Sequence, residues 1–276
     1  MVVVLALTAA TVIGVGDYLG GRASSRHPAI LVTFVGQAVA CVLGVFAALA
    51  MGWDDLHPGD LVLGALSGAA AGTATVAFFH ALGNGRMSIV APVTAATGVV
   101  LPVAYDAVRG VELQGITWTA MVIVIAAIPM VAMRPGGDHR LSLRAELLLS
   151  VMAGTGYALY FILLGHTSES SGQWPVVMSF AVGAACVGLM AAVQRVRLDR
   201  LPWGAVGSGT ASIVAGVCIT RALQIGPISL ATVLGSLYPV VTSGLAVRLD
   251  GERLRPINVV GIVAAVAGAA AVAATR

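Results

Sequence analysis

Mostly apolar blocks of about twenty residues alternate along the chain with short polar breaks. Ten such windows run at roughly 2–20, 29–51, 60–82, 87–106, 114–133, 145–165, 175–194, 203–224, 227–247 and 257–275, each bounded by charges, Pro or Gly. A helix rises about 1.5 Å per residue, so ~20 apolar residues match the ~30 Å hydrocarbon core of a bilayer. The pattern predicts an all-α integral membrane protein of ten transmembrane helices, numbered here as spans one to ten. The connections leave no room for a soluble domain, so any chemistry must take place among the helices. The opening Met-Val-Val-Val lacks a basic region and a cleavage signal and reads as the start of span one.

Composition sharpens this picture. The chain of 276 residues is 58% apolar and 10% charged, against about 45–50% and ~25% in soluble domains. That excludes an ordinary soluble globule, and equally a disordered chain, which needs few apolar residues. The net charge of +3 gives no basis for a nucleic-acid partner. Cys41, Cys186 and Cys218 lie singly in apolar runs, with neither the spacing of a disulfide framework nor that of a metal site.

All fifteen basic residues are Arg, and their placement predicts orientation. Odd-numbered connections carry Arg22, Arg26, Arg86, Arg134, Arg140, Arg144, Arg195, Arg197, Arg200, Arg248, Arg253 and Arg255, whereas even-numbered ones carry Arg109 alone. The positive-inside rule puts the odd connections in the cytoplasm and both termini outside an inner (plasma) membrane. Trp53, Trp118, Trp174 and Trp203 fall near span ends, where interfacial anchors belong.

The chain also repeats itself. An offset of 141 aligns Ala81 with Ala222, Leu82 with Leu223, Gly85 with Gly226, Ser88 with Ser229, Val100 with Val241 and Gly110 with Gly251. Gly14-x-Gly16 aligns with Gly154-x-Gly156 at an offset of 140. Two five-span repeats follow, 1–133 and 145–276, joined by a linker at 134–144. Five is odd, so the second repeat is inverted relative to the first. Inverted repeats place a shared site near the membrane midplane between the halves.

Phe79-His80-Ala81-Leu82, the Gly turn after it, and Ser88-x-x-Ala91-Pro92 resemble the third-to-fourth span junction of an EamA domain. Arg221–Pro239 followed by Gly251-Glu252-Arg253-Leu254 resembles the same region of a second such domain. In the first half Gly110-Val111-Glu112-Leu113 stands where the Gly-Glu-Arg-Leu signature is expected. The resemblance is to the drug/metabolite transporter superfamily. It implies two EamA domains, ten helices and a transporter of amino acids, other metabolites, nucleotide sugars or drugs.

Several residues are candidates for the working parts. Gly64, Gly68 and Gly72 share a face of span three, as Gly16 and Gly20 do on span one. Small residues let helix backbones approach closely in lipid, so the plainer reading is static packing and the functional one a sliding surface. Pro92 and Pro102 in span four and Pro239 in span nine are expected to break corresponding helices, and interrupted helices at matching positions point to a transport site. Ionisable residues within spans cost ~2.5–3.5 kcal/mol at a helix centre. Here they are Asp17, His80, Arg221 and Glu146.

Glu146 and Asp17 read as interfacial groups paired with Arg144 and Arg22, or Asp17 as a deeper titrating group. Arg221 reads as a snorkelling side chain or a ligand for a carboxylate-bearing solute. His80 reads as a core imidazole or a proton-coupling group. Gln37, Tyr157, Tyr160, Gln224 and Tyr238 are polar or aromatic positions suited to lining a cavity.

The expected function is a secondary transporter that moves a small organic metabolite, an amino acid or related compound, by alternating access. The resemblance favours export. The expected cavity is lined by spans one, three, four, six, eight and nine, with lipid around it. No nucleotide-binding motif is present, so proton coupling or exchange is expected, without a cofactor or metal. The alternatives are a multidrug or cation exporter, a membrane-embedded enzyme such as a prenyltransferase, and a scaffold. The enzyme reading has only one acidic cluster, Asp54, Asp55 and Asp60, where a prenyltransferase needs two.

Overall fold

The computed structural model describes residues 1–85, 87–111, 141–197 and 200–250, with scattered positions at 115–130 and 256–267. Spans five and ten, most of the linker and the Gly251-Glu252-Arg253-Leu254 signature lie outside the described residues, as do Glu112 and Leu113. The described residues are helical, without strands. Spans one to four are Val2–Ser24, Ala29–Met51, Pro58–Asn84 and Met87–Val108. Spans six to eight are Leu143–Leu164, Trp174–Val193 and Trp203–Gln224. Spans one to three and six to eight are each long and apolar enough to cross a membrane. Large apolar side chains such as Phe46, Leu66 and Leu189 point outward from the bundle, as a lipid-facing surface requires.

The ends are set by local chemistry. Gly52, at φ +75°, stops span two in a conformation that suits glycine. Span six starts at Ser142, whose hydroxyl accepts the Ala145 N–H at 3.3 Å.

The prolines act differently from expectation. Span four is one helix through Pro92 and Pro102. Span nine, in contrast, is two helices, Ile228–Gly235 and Tyr238–Asp250, separated by a turn at Ser236 and Leu237. Pro239 has no N–H to offer the Gly235 carbonyl and disfavours helix at the residue before it. Gly235 and Ser236 add weak helix propensity at the same point. In span four the proline sites are held by close packing on span six, where Gly98 lies against Gly154, and a held backbone tolerates the lost bond.

Helices pack through small residues. A Cβ on Gly68 would meet Ser179 Cα at 2.7 Å, and one on Gly72 would meet Gly183 Cα at 2.8 Å. Gly64 faces the Pro175 backbone in the same way, so spans three and seven touch backbone to backbone. Across the bundle Gly209 of span eight meets Gly36 of span two, where a Cβ on Gly209 would lie 2.9 Å from Gly36 Cα. Gly14 packs on Val241 and Tyr238 of span nine, and Gly16 on Ala211 and Ser208 of span eight. Gly154 packs on Thr94 and Thr97 of span four, and Gly156 on Ala74 and Ala70 of span three. Gly20 sits against the Phe79 ring.

Connections gather at two ends. At the odd end Leu141 N–H donates to the Asn84 carbonyl, and Ser24–Ala29, Asn84 and Gln194 surround one depression. At the even end Asp54 and Asp55 N–H groups donate to the Ser170 carbonyl, and Gly226 lies against Val2.

Candidate functional site

A cavity of about 140 Å³ lies in the middle of the bundle. Every described span from one to four and six to nine contributes to its wall, including span two through the expected Gln37 and the unexpected Thr33, and span seven through Ser179 and Phe180, which were not expected. A cavity this size matches an apolar pocket that takes up one benzene-sized ring.

One charged side chain stands in the wall, Asp17. Tyr157 and Tyr238 are near enough to interact electrostatically with it. Among the described residues Asp17 has no hydrogen bond or ion pair, and no Arg or His lines the cavity. The expected pairing with Arg22 is not made: Arg22 donates to the Tyr18 hydroxyl at 2.7 Å. Asp17 is instead turned inward at mid-helix, where a bare carboxylate is costly.

Tyr157, Tyr160 and Tyr238, with Phe79, Phe161 and Phe180, form the aromatic part of the wall. The Tyr157 and Thr75 hydroxyls are 3.1 Å apart, and Tyr238 donates to the Ala91 carbonyl at 3.3 Å. Phe78 stands edge-on behind both Tyr157 and Tyr238, with ring centroids 5.8 and 6.5 Å away. Thr242 donates to the carbonyls of Gly14 and Tyr238, both at 3.1 Å. That ties the second helix of span nine to span one beside Asp17. The break in span nine places Ser236 and Tyr238 in the wall, with Pro239 buried next to them. Pro92 lies in span four, and its side chain is outside the described residues. Thr33 and Thr94 line the cavity with buried hydroxyls that have no partner, and such groups normally find one.

Three expected cavity residues lie elsewhere. His80 is exposed at the odd end, in a depression shared with Ser24, Arg26, His27 and Asn84. Arg221 is at the even end, where its guanidinium meets Glu169 at 2.8 Å. Gln224 donates to Thr167 Oγ1 at 3.1 Å and to the Ser168 carbonyl at 3.0 Å. Glu146, in the first turn of span six, is fully buried against Gly85 at the odd end.

The even end carries a polar network that the sequence did not disclose. Buried Asp60 accepts from Ser171 Oγ at 2.6 Å and from the Ser168 N–H at 2.9 Å. Asp106, expected in a loop, is buried in span four, and its carboxylate accepts the Ser229 N–H at 2.7 Å. That caps the first helix of span nine with a negative charge, the sign its N-terminus favours. The Tyr105 hydroxyl and His166 Nε2 are 2.6 Å apart. Asp54, Asp55 and Asp60 do not gather as a metal site, and no metal-binding cluster occurs among the described residues.

Residues 144–274 match the sequence model of the EamA-like transporter family. No curated protein matches the chain. A solved structure described only as "Crystal structure of protein" shares the fold with a TM-score of 0.75 at 17% identity, covering 98% of this chain and 96% of that one. The EamA match and the apolar helices together support a multi-pass membrane protein of the drug/metabolite transporter kind.

Proposed function

We propose that the protein is a secondary transporter with ten spans in two inverted five-span EamA-like repeats. It carries a small organic metabolite through the central cavity by alternating access. The observation that carries the reading is a central cavity lined by helices of both halves, with a polar network at the even end.

The packing supports the inverted repeat. Gly14 and Gly16 of span one meet spans nine and eight, and Gly154 and Gly156 of span six meet the equivalent spans four and three. Gly68 of span three meets span seven as Gly209 of span eight meets span two. Two halves with interchangeable contacts can exchange roles, and that is the physical content of alternating access. In this reading the state described is closed at the even, Arg-poor end, which faces outside by the Arg count. The transport direction is export, as the resemblance favours.

Asp17 is the proton-coupling group, being the one ionisable carboxylate in the wall. The other titratable groups facing it are the phenols Tyr157 and Tyr238. His80 is too far out to share that role.

The test is solute-driven proton movement in proteoliposomes containing a trapped pH dye. A transported solute should change the internal pH with wild-type protein and not with Asp17→Asn. Absence of both proton movement and counterflow across amino acids, amines, nucleosides and cationic drugs would reject the transporter.

A further inference from the structure

Among the described residues the cavity wall carries one carboxyl group and no basic side chain. Its polar atoms are a carboxylate, three phenols, Gln37 and a set of Ser and Thr hydroxyls. It holds Asp17 without a counter-ion among the described residues, and Arg221 of span eight is paired with Glu169 at the even end. A solute carboxylate entering this cavity would meet a like charge and no compensating donor of full charge, an arrangement that rejects it. An ammonium group, in contrast, would relieve the isolated carboxylate and face aromatic rings whose π-clouds attract cations. Thr33 and Thr94 add two buried hydroxyls without partners that can accept N–H bonds. The volume of about 140 Å³ suits a body the size of one ring.

We infer that the solute is an organic cation: an amine or quaternary ammonium carried on a compact apolar or aromatic body, held by Asp17 with Tyr157 and Tyr238 beside it. This rests on the transporter reading for the role of the cavity, and goes beyond it in excluding anions and preferring cations to zwitterions. Between primary amines and quaternary ammonium ions the wall has features for both: hydroxyl acceptors for the first and aromatic faces for the second.

The test uses the full chain in lipid nanodiscs with three probes of matched shape: benzyltrimethylammonium, benzylamine and benzoate. Binding is read by calorimetry and by thermal shift, because a ligand of the folded state raises Tm by mass action. The expected result is binding of one or both cations and none of benzoate. Asp17→Asn should weaken the cation by at least about thirtyfold, the loss that goes with removing one partner of a desolvated charge pair. Asp17→Glu, which keeps the charge, should restore most of it. Tyr238→Leu should weaken benzyltrimethylammonium more than benzylamine.

Benzoate bound as tightly as the cations, cations bound equally by wild type and Asp17→Asn, or no binding by any probe would each overturn the inference. Flux of the same probes separates the two readings. Asp17-dependent cation binding without flux would sink the transporter and leave the cation site. Flux of benzoate alone would sink the cation site and leave the transporter.

Discussion

Substituting Gly68 by Ala tests the contact between spans three and seven. The added Cβ would lie 2.7 Å from Ser179 Cα and nearer still to the Ser179 carbonyl oxygen. Both are backbone atoms in the middle of a helix, so no side-chain rotation relieves the clash. Clearing the nearer carbonyl oxygen to ordinary contact requires the helices to part by more than about 1 Å, and a gap of 0.5–1 Å already forfeits a quarter to a half of each van der Waals well along the seam. In lipid no hydrophobic term compensates, since the tails are as apolar as the helices.

Overpacking of this kind costs about 1–3 kcal/mol. That corresponds to a Tm lower by about 2–10 °C on the scale of domains this large. Gly59 lies on the same helix with open space around its Cβ position, and Gly59→Ala should leave Tm unchanged or raise it slightly. The assay is detergent-solubilised thermal unfolding of both variants beside wild type. Equal Tm for Gly68→Ala and wild type, with Gly59→Ala behaving as expected, would refute the backbone contact.

Three further outcomes follow from the same geometry. Asp106→Ala removes the carboxylate cap of span nine and should cost about 1–2 kcal/mol, read as a lower Tm. Arg221→Gln breaks a half-exposed ion pair with Glu169, so it should cost less than about 1 kcal/mol and leave transport intact in the flux assay. Placed singly in a cysteine-free background, Ser25→Cys should be labelled by an impermeant maleimide only from the cytoplasmic side, and Asp55→Cys only from outside. The reverse result would invert the orientation.

Much of the fold was legible in one dimension. The energy of moving a helix into lipid sums over the residues in it, so ten apolar windows and their approximate ends follow from composition along the chain. The charge asymmetry that suggests orientation is likewise a count. Gly64, Gly68 and Gly72, like Gly16 and Gly20, announced close packing because removing a side chain has one consequence wherever the helix lies. Tyr157, Tyr160, Tyr238, Gln37 and Asp17 were selected for being polar within spans, and all five line the cavity.

The same criterion also selected His80, Arg221 and Gln224, which lie outside it. Depth in a span says how far a residue is from water along the chain. Whether its side chain faces lipid, a neighbour or the cavity depends on how each helix is rotated, and contacts between distant spans set that rotation. Asp106 and Asp60 show the point from the other side: near span ends they read as loop acids, yet each is buried because a backbone N–H from another part of the chain, Ser229 or Ser168, needs an acceptor there. Pro92, Pro102 and Pro239 are equal in sequence, but span four runs unbroken through the first two, and only Pro239, just after Gly235 and Ser236, sits beside a break. The isolation of Asp17, on which both proposals rest, is a fact about what surrounds it in three dimensions. No spacing along the chain encodes the absence of a partner.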